Sequence, residues 1–556
     1  GLFAFGRALS QGLFFDGDDD GDLDAFIGSV TDEPPSRFFR NVGAGFYEDQ
    51  SEVLGTGPLR SFSAVALDYD LDGVTDLFGA ANGDFLEGAS RLEGSFLLRG
   101  DGAGGFEEVT AGTCLPQTLS MVNGQSLTLD YDGDGDADLV QVSGSSHLAM
   151  FRNDSDGRFT DVSRKLGLRR SLREEVRCQV QVRLGGEFCD RVAGRALAAG
   201  DYDADGDVDL FVTGRAAGAS RLATLYRNEG GRRFVDVSAA SGDLAESTGA
   251  THWGTAFFDF DNDGDLDLYR TDSRSGRGAA YTLYRNQGRG RFEVANREAF
   301  PRFPLGLSPQ GGVAAIGDYD GDGALDIFAV ASILFGPARS AFLQNLGARR
   351  NHWLRVRLVG TASARDAFGA RVTLKSDLGT QLREVHHSPL ETQPLHFGLG
   401  AETQVDSLEV RWPSGLVQEL RDIRADQLLS IDEPAHCLSG RRGKRECRRV
   451  DFEERPDPPR RARVPRWASV QLDKDFICER EVEALRITRR VCGELARECL
   501  RGAGVPATRR MLRRGWRRLP SEQLECVLPY TSTLGCEETP RAELLDVCDC
   551  FDLPEE

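Results

Sequence analysis

Much that would mark a familiar enzyme or membrane protein is missing from this chain of 556 residues. No run of about 18 apolar residues occurs, so no membrane-spanning helix is expected. The sequence shows no basic-then-apolar signal peptide, and it begins abruptly at Gly1, as expected of a processed or trimmed product. There is no GxSxG turn to raise a serine nucleophile, no HExxH and no phosphate-binding glycine loop. Histidines number only seven and are scattered, and lysine is scarce beside arginine. Positive charge is short overall: the formal net charge is −21, which argues against nucleic acid as a main ligand.

Aspartate, by contrast, is abundant and regularly placed. A nine-residue stretch, DYDGDGDAD at Asp130, is written six times, starting at Asp16, Asp68, Asp130, Asp201, Asp259 and Asp318. Positions 1, 3, 5 and 9 are always Asp and position 6 is always Gly. The candidate ligand sets are Asp16, Asp18, Asp20, Asp22 and Asp24; Asp68, Asp70, Asp72, Val74 and Asp76; and Asp130, Asp132, Asp134, Asp136 and Asp138. The other three are Asp201, Asp203, Asp205, Asp207 and Asp209; Asp259, Asp261, Asp263, Asp265 and Asp267; and Asp318, Asp320, Asp322, Ala324 and Asp326. Position 7 varies freely (Val74, Asp136, Ala324), as it would if it offered only its backbone carbonyl to an ion. Four carboxylates within a few ångströms repel one another, and a hard divalent cation removes that cost. All-oxygen ligands favour Ca2+ over zinc or copper. About six Ca2+ ions are therefore expected, one per loop.

The loops recur at intervals of 52 to 71 residues, the mark of a repeat architecture. Each unit reads as strand, loop, strand, a third strand ending in a turn such as LYRNEGGRRF (Leu225 to Phe234), and a fourth strand opened by the aromatic. Four antiparallel strands per unit make a propeller blade. The unit resembles the FG-GAP (VCBS) repeat of integrin α-chain heads and bacterial surface proteins, over residues 1–347. That resemblance implies a calcium loop between the first two strands of each blade and leaves six or seven blades open; Leu2 to Phe5 is a spare strand that would complete the sixth.

From Asn351 the texture changes to alternating strands. Asn351, Trp353, Leu354, Gly360, Gly369, Ala370, Val372, Phe397, Gly398, Leu399, Gly400 and the Trp412-Pro413-Ser414-Gly415 turn resemble the ASPIC/UnbV domain of the cartilage acidic protein family and its bacterial relatives, here over residues 348–434. Ala364 and His386-His387-Ser388 depart from the pattern. The resemblance implies an extracellular setting and no particular reaction. An Arg- and Pro-rich linker (435–470) and a cysteine-rich helical cap (471–556) complete the expected organisation. Twelve cysteines fit an oxidising compartment; Cys178 with Cys189, and Cys437 with Cys447, are the expected local disulfides.

The expected fold class is thus all-β: a calcium-binding propeller, a small β domain and a disulfide-rich helical cap. The expected role is a non-catalytic adhesion or binding scaffold, secreted or at the cell surface (periplasmic in a bacterium). Its partner would be an extracellular protein or glycan, or further copies of itself. The rival reading is a secreted enzyme with a copper or zinc site drawn from His352, His386, His387 and His396, in which the adjacent His386 and His387 point to opposite faces of a strand and do not share the metal. Two short motifs have plain alternatives. Arg99-Gly100-Asp101 is an integrin-binding tripeptide or a variant of the third-strand turn, and Asn153-Asp154-Ser155 is a glycosylation sequon in the same turn of the third unit.

Overall fold

In the computed structural model, residues 9–29, 35–55, 59–80, 95–115, 124–143, 147–168, 193–215, 223–246, 251–273, 281–295, 314–329, 341–386, 394–434, 437–439 and 445–447 are described. They all fall within one compact unit, residues 1–171 and 181–455. Leu2 to Phe5, Cys178, Cys189, His387 and the expected helical cap lie outside the described residues.

The first part is six antiparallel meanders in succession. Sheet 1 holds β1 (Leu9–Phe15), β2 (Asp24–Ser29), β3 (Arg37–Asn41) and β4 (Tyr47–Asp49). Sheet 2 holds β5 (Ser63–Leu67), β6 (Asp76–Ala80), β7 (Phe96–Gly100) and β8 (Phe106–Glu108); sheet 3 holds β9 (Ser126–Leu129), β10 (Asp138–Ser143), β11 (His147–Asn153) and β12 (Phe159–Asp161). Sheet 4 holds β13 (Ala193–Gly200), β14 (Asp209–Arg215), β15 (Ala223–Asn228) and β16 (Phe234–Asp236); sheet 5 holds β17 (Thr251–Phe258), β18 (Asp267–Ser273), β19 (Tyr281–Asn286) and β20 (Phe292–Val294). Sheet 6 shows three strands among the described residues, β21 (Ala314–Gly317), β22 (Asp326–Ala329) and β23 (Ala341–Leu343).

In sheets 2 to 5 the described residues of the first two strands are nearly all buried, whereas β1 and β21 alternate. All five residues of β5 and all five of β6 are buried, because a blade is covered on both faces by its neighbours. The core is accordingly a series of sheet-to-sheet interfaces. Leu67, Phe78 and Leu97 of sheet 2 pack with Leu139, Ala149 and Phe151 of sheet 3; Phe211 and Leu225 of sheet 4 pack with Phe257 and Leu268 of sheet 5. Each first strand, from β1 to β17, neighbours the next. The packing is propeller-like.

The second domain is a sandwich. One sheet is ordered β27 (Leu395–Gly400), β24 (His352–Val359), β30 (Gln427–Asp432), with β24 and β30 parallel; the other is ordered β26 (Gly379–Glu384), β25 (Arg371–Ser376), β28 (Gln404–Arg411), β29 (Val417–Arg424). Between them lie Leu354, Val356, Val372, Leu374, Phe397, Leu399, Leu408 and Trp412. The Trp-Pro-Ser-Gly turn is tied to the chain's return through Glu433. That carboxylate accepts the N–H groups of Thr361, Ala362 and Ser363, each at 2.8 Å, and the Ser414 hydroxyl. A final hairpin, β31 (Cys437–Ser439) and β32 (Arg445–Cys447), places Cys437 opposite Cys447 in register.

Candidate metal centres

All six Asp loops fold alike. The position-1 carboxylate accepts the N–H of position 5 at 3.0–3.1 Å and of position 6 at 2.8–3.1 Å. The position-5 carboxylate accepts the N–H of position 7 at 2.9–3.2 Å, whatever side chain position 7 carries. The chain bends so sharply that the position-6 glycines have φ between 83° and 101°, beyond the left-handed well open to other residues.

This winding points carboxylate oxygens inward. In loops 1 and 5 the acids of positions 1, 3 and 5 converge (Asp16, Asp18, Asp20; Asp259, Asp261, Asp263), with ligand atoms within 4.8 Å of one another. In loops 2, 3 and 4 it is positions 1, 3 and 9: Asp68, Asp70, Asp76; Asp130, Asp132, Asp138; Asp201, Asp203, Asp209. The fit to a cation rests on the leftover oxygens. Position-3 Oδ1 is buried without a hydrogen-bond partner in five loops, on Asp18, Asp70, Asp132, Asp203 and Asp261. Buried polar atoms are normally paired, and here the same atom is left over five times in one geometry. Burial pushes the Asp201 carboxyl up to about 7, Asp259 to about 8 and Asp209 to about 9. Nearby aspartates add to each. Oxygen donors, excess negative charge and an Asp-Gly turn are the donor set of a hard divalent ion.

Position 9 does a second job. Its Oδ1 accepts the N–H that ends the third strand, at 2.7–2.9 Å, from Asn41, Gly100, Asn153, Asn228, Asn286 and Asn345. Its Oδ2 accepts the N–H of position 2 in loops 1, 2, 3, 5 and 6. The terminal Asn then reaches the neighbouring blade: Asn153, Asn228 and Asn286 each donate from Nδ2 at 2.8 Å to the position-2 carbonyl of the preceding loop (Tyr69, Tyr131, Tyr202), and Asn345 does so to Phe260 at 2.6 Å. The position-2 rings of Tyr69, Tyr131 and Tyr202 lie against Phe159, Phe234 and Phe292 of the next sheet. The Arg-Asn turn, a hairpin signal in the sequence, is therefore a blade-to-blade staple. The sequon Asn153 is buried with its amide in use, so it is no acceptor for a glycan in this fold.

Arginines face the loops from two sides. From the third strands, Arg99 pairs with Asp70 at 3.0 Å and Asp72 at 2.9 Å, while Arg40 pairs with Asp18 and Arg285 with Asp261. Asp101 is occupied by the N–H groups of Ala103 and Gly105 at 2.8 Å; both charged residues of the Arg-Gly-Asp triplet are thus engaged in their own blade. From the second domain, Arg355 reaches Asp318 at 2.9 Å, Arg365 reaches Asp16 at 3.3 Å and Arg371 reaches Asp130 at 3.6 Å. Arg383 acts on Asp201 and Asp259. Asp366 and Glu384 accept the backbone N–H of Asp16 and Asp130, and a Cβ on Gly323 of loop 6 would strike the Trp353 ring. The second domain thus sits on the loop face of the sheets. Sequence reasoning missed this cover, since arginines on alternating strands read as solvent-facing.

Of the four histidines of the rival reading, three are described, and His386, with Nδ1 3.2 Å from the Glu384 carbonyl, lines a cavity together with His396. His352 lies 2.7 Å from Asp426 on the outside, while His396 is buried against Asn262 at 2.8 Å.

Comparison with known families agrees with this architecture. Residues 360–437 match the ASPIC and UnbV family, and residues 130–172 and 201–270 match the FG-GAP-like repeat. Cartilage acidic protein 1 of Xenopus tropicalis is 29% identical over 48% of this chain and 38% of its own length; the human protein is 30% identical over 43% of this chain and 36% of its own. This chain thus spans well under half of those relatives. Among solved structures, a six-bladed fungal lectin from Aleuria aurantia is 11% identical, with a TM-score of 0.31 over 59% of this chain and 90% of the lectin. The chain carries FG-GAP-like repeats followed by an ASPIC and UnbV segment, and is a relative of cartilage acidic protein 1.

Proposed function

We propose that this chain is a non-catalytic, calcium-loaded extracellular scaffold that binds a protein or glycan partner. The single observation that carries it is the repeated buried Oδ1 at position 3, left over in five loops. The residues that would hold Ca2+ are the Asp at positions 1 and 3, joined by position 5 in loops 1 and 5 and by position 9 in loops 2, 3 and 4. Bound there, the ion supplies positive charge to a cluster of mutually repelling carboxylates. It also ties the start of β2, and its equivalents, to the strand before. The calcium is structural in this reading, and it stabilises the native state by mass action.

Because the second domain occupies the loop face, partners meet the sheets on the opposite face or along the blade edges. No helix among the described residues is long and apolar enough to cross a membrane. The test is a pull-down from an extracellular fraction, run in calcium and in chelator. A partner recovered only in calcium supports the reading. Recovery of this chain alone favours self-assembly, and recovery of the same partner equally in both conditions removes calcium from the binding role.

A further inference from the structure

Between loops 4, 5 and 6 and the second domain lies a cavity of about 270 Å³. Phe257, Ile316 and Leu395 form apolar wall, and Arg355, Glu384 and His396 bring polar atoms to it. Each of these three has one side-chain atom paired and another left buried without a partner. His396 stands 2.8 Å from Asn262 Oδ1 through Nε2. Asn262 donates its own Nδ2 to the Gly323 carbonyl at 3.0 Å, which fixes its amide, so His396 Nε2 carries the proton. His396 Nδ1 is then a lone pair with nothing to accept, and it is buried. Burial, aided by Arg383 and Arg355, holds the ring neutral, with its pKa down to about 3. Arg355 spends Nη1 on Asp318 while Nε is unused. Glu384 spends Oε1 on the Asp130 N–H while Oε2 is unused.

We infer that this cavity is a binding site for a small neutral polyhydroxylated molecule of monosaccharide size. The site needs a donor for His396 Nδ1, an acceptor for Arg355 Nε–H and a partner for a carboxyl oxygen. A hydroxyl both donates and accepts, so one polyol meets all three demands while its C–H faces cover the aromatic and aliphatic wall. Glu384 disfavours an anion, and the guanidinium groups of Arg355 and Arg383 disfavour an organic cation. The volume falls just below the range of about 300 to 1,000 Å³ usual for drug-sized ligands, which suits a single ring. Asp201, Asp259 and Asp318 of loops 4, 5 and 6 also line the cavity, so the site is tested with those loops in calcium.

The test is isothermal titration calorimetry on the full chain in calcium. The probes are glucose, galactose, mannose, fucose, N-acetylglucosamine and myo-inositol, with glycine as a control lacking hydroxyls. Saturable one-to-one binding of at least one probe, weakened about tenfold or more in Leu395→Trp, is the expected result, with the calcium-dependent melt of that variant retained. Should Leu395→Trp fail to fold, His396→Gln is read in its place and shows the same loss. No heat from any probe at millimolar concentration means that the cavity holds water only and overturns the inference. So does binding undiminished in a folded variant, which places the ligand elsewhere.

Discussion

Two regions of this molecule bury carboxylates, and they do so in opposite ways. In the second domain, Glu433 accepts three N–H groups and the hydroxyls of Ser363 and Ser414. Burial alone would raise its pKa, but those donors bring it below the usual value. In the sheets, the position-3 aspartates keep an oxygen with no donor at all, and burial drives Asp201, Asp209 and Asp259 to about 7, 9 and 8. One acid is completed by the protein. The others keep an oxygen that, in our proposal, Ca2+ completes. The difference teaches where stability should depend on solution conditions and where it should not.

The largest expected effect follows from that contrast. Each site held at free calcium 1,000 times its dissociation constant gains about 4 kcal/mol. Chelation should therefore lower the melting temperature by on the order of 10 °C or more, read by calorimetry with and without excess chelator. An unchanged melt after proven removal of calcium would erase the contrast between the two regions.

Glu433→Gln sharpens it from the other side. Loss of charge-assisted hydrogen bonds should cost about 1.5 to 3 kcal/mol, by the same amount in calcium and in chelator. The pH dependence has a definite sign. The folded pKa lies below the unfolded value of about 4.3, so the stabilisation is present above that value and is lost as pH falls through the folded one. The gap between wild type and variant, measured by denaturant titration, should be full at pH 7 and close in stronger acid.

Asn228→Ala probes the joint between blades. It removes the 2.8 Å bond to the Tyr131 carbonyl and the 3.1 Å bond to the Val208 carbonyl. Two buried acceptors are left unpaired, at about 1 to 3 kcal/mol; a melt in calcium reports it. The smallest effect belongs to Arg99→Ala. Its side chain is 43% exposed, and pairs of that kind contribute about 1 kcal/mol or less. A loss of several kcal/mol there would mean that arginine, rather than a cation, balances the loop.

The loops were legible in the sequence because Asp and Gly recur at fixed spacing in six copies, and each copy folds with the same backbone-to-carboxylate hydrogen bonds. The β strands were legible because blade strands such as Ser63–Leu67 are apolar runs between turn residues. The staple was only half legible: Asn228 and Asn286 sit in an obvious turn, but the carbonyl each one reaches lies 97 and 84 residues earlier. Arg355, Arg365, Arg371 and Arg383 gave no signal, since their partners belong to five different loops brought together only by tertiary packing. The Arg-Gly-Asp triplet falls in the third-strand turn that its plain alternative expects, and the sequon falls in a similar turn. Both are short patterns whose side chains the fold has already taken.

The most direct test of the central claim is the metal content of the full chain, by elemental mass spectrometry after gel filtration in micromolar calcium. The account predicts about six Ca2+ per chain, and one fewer in Asp132→Ala. A protein that is folded yet carries no calcium, or the same number in that variant, would contradict it.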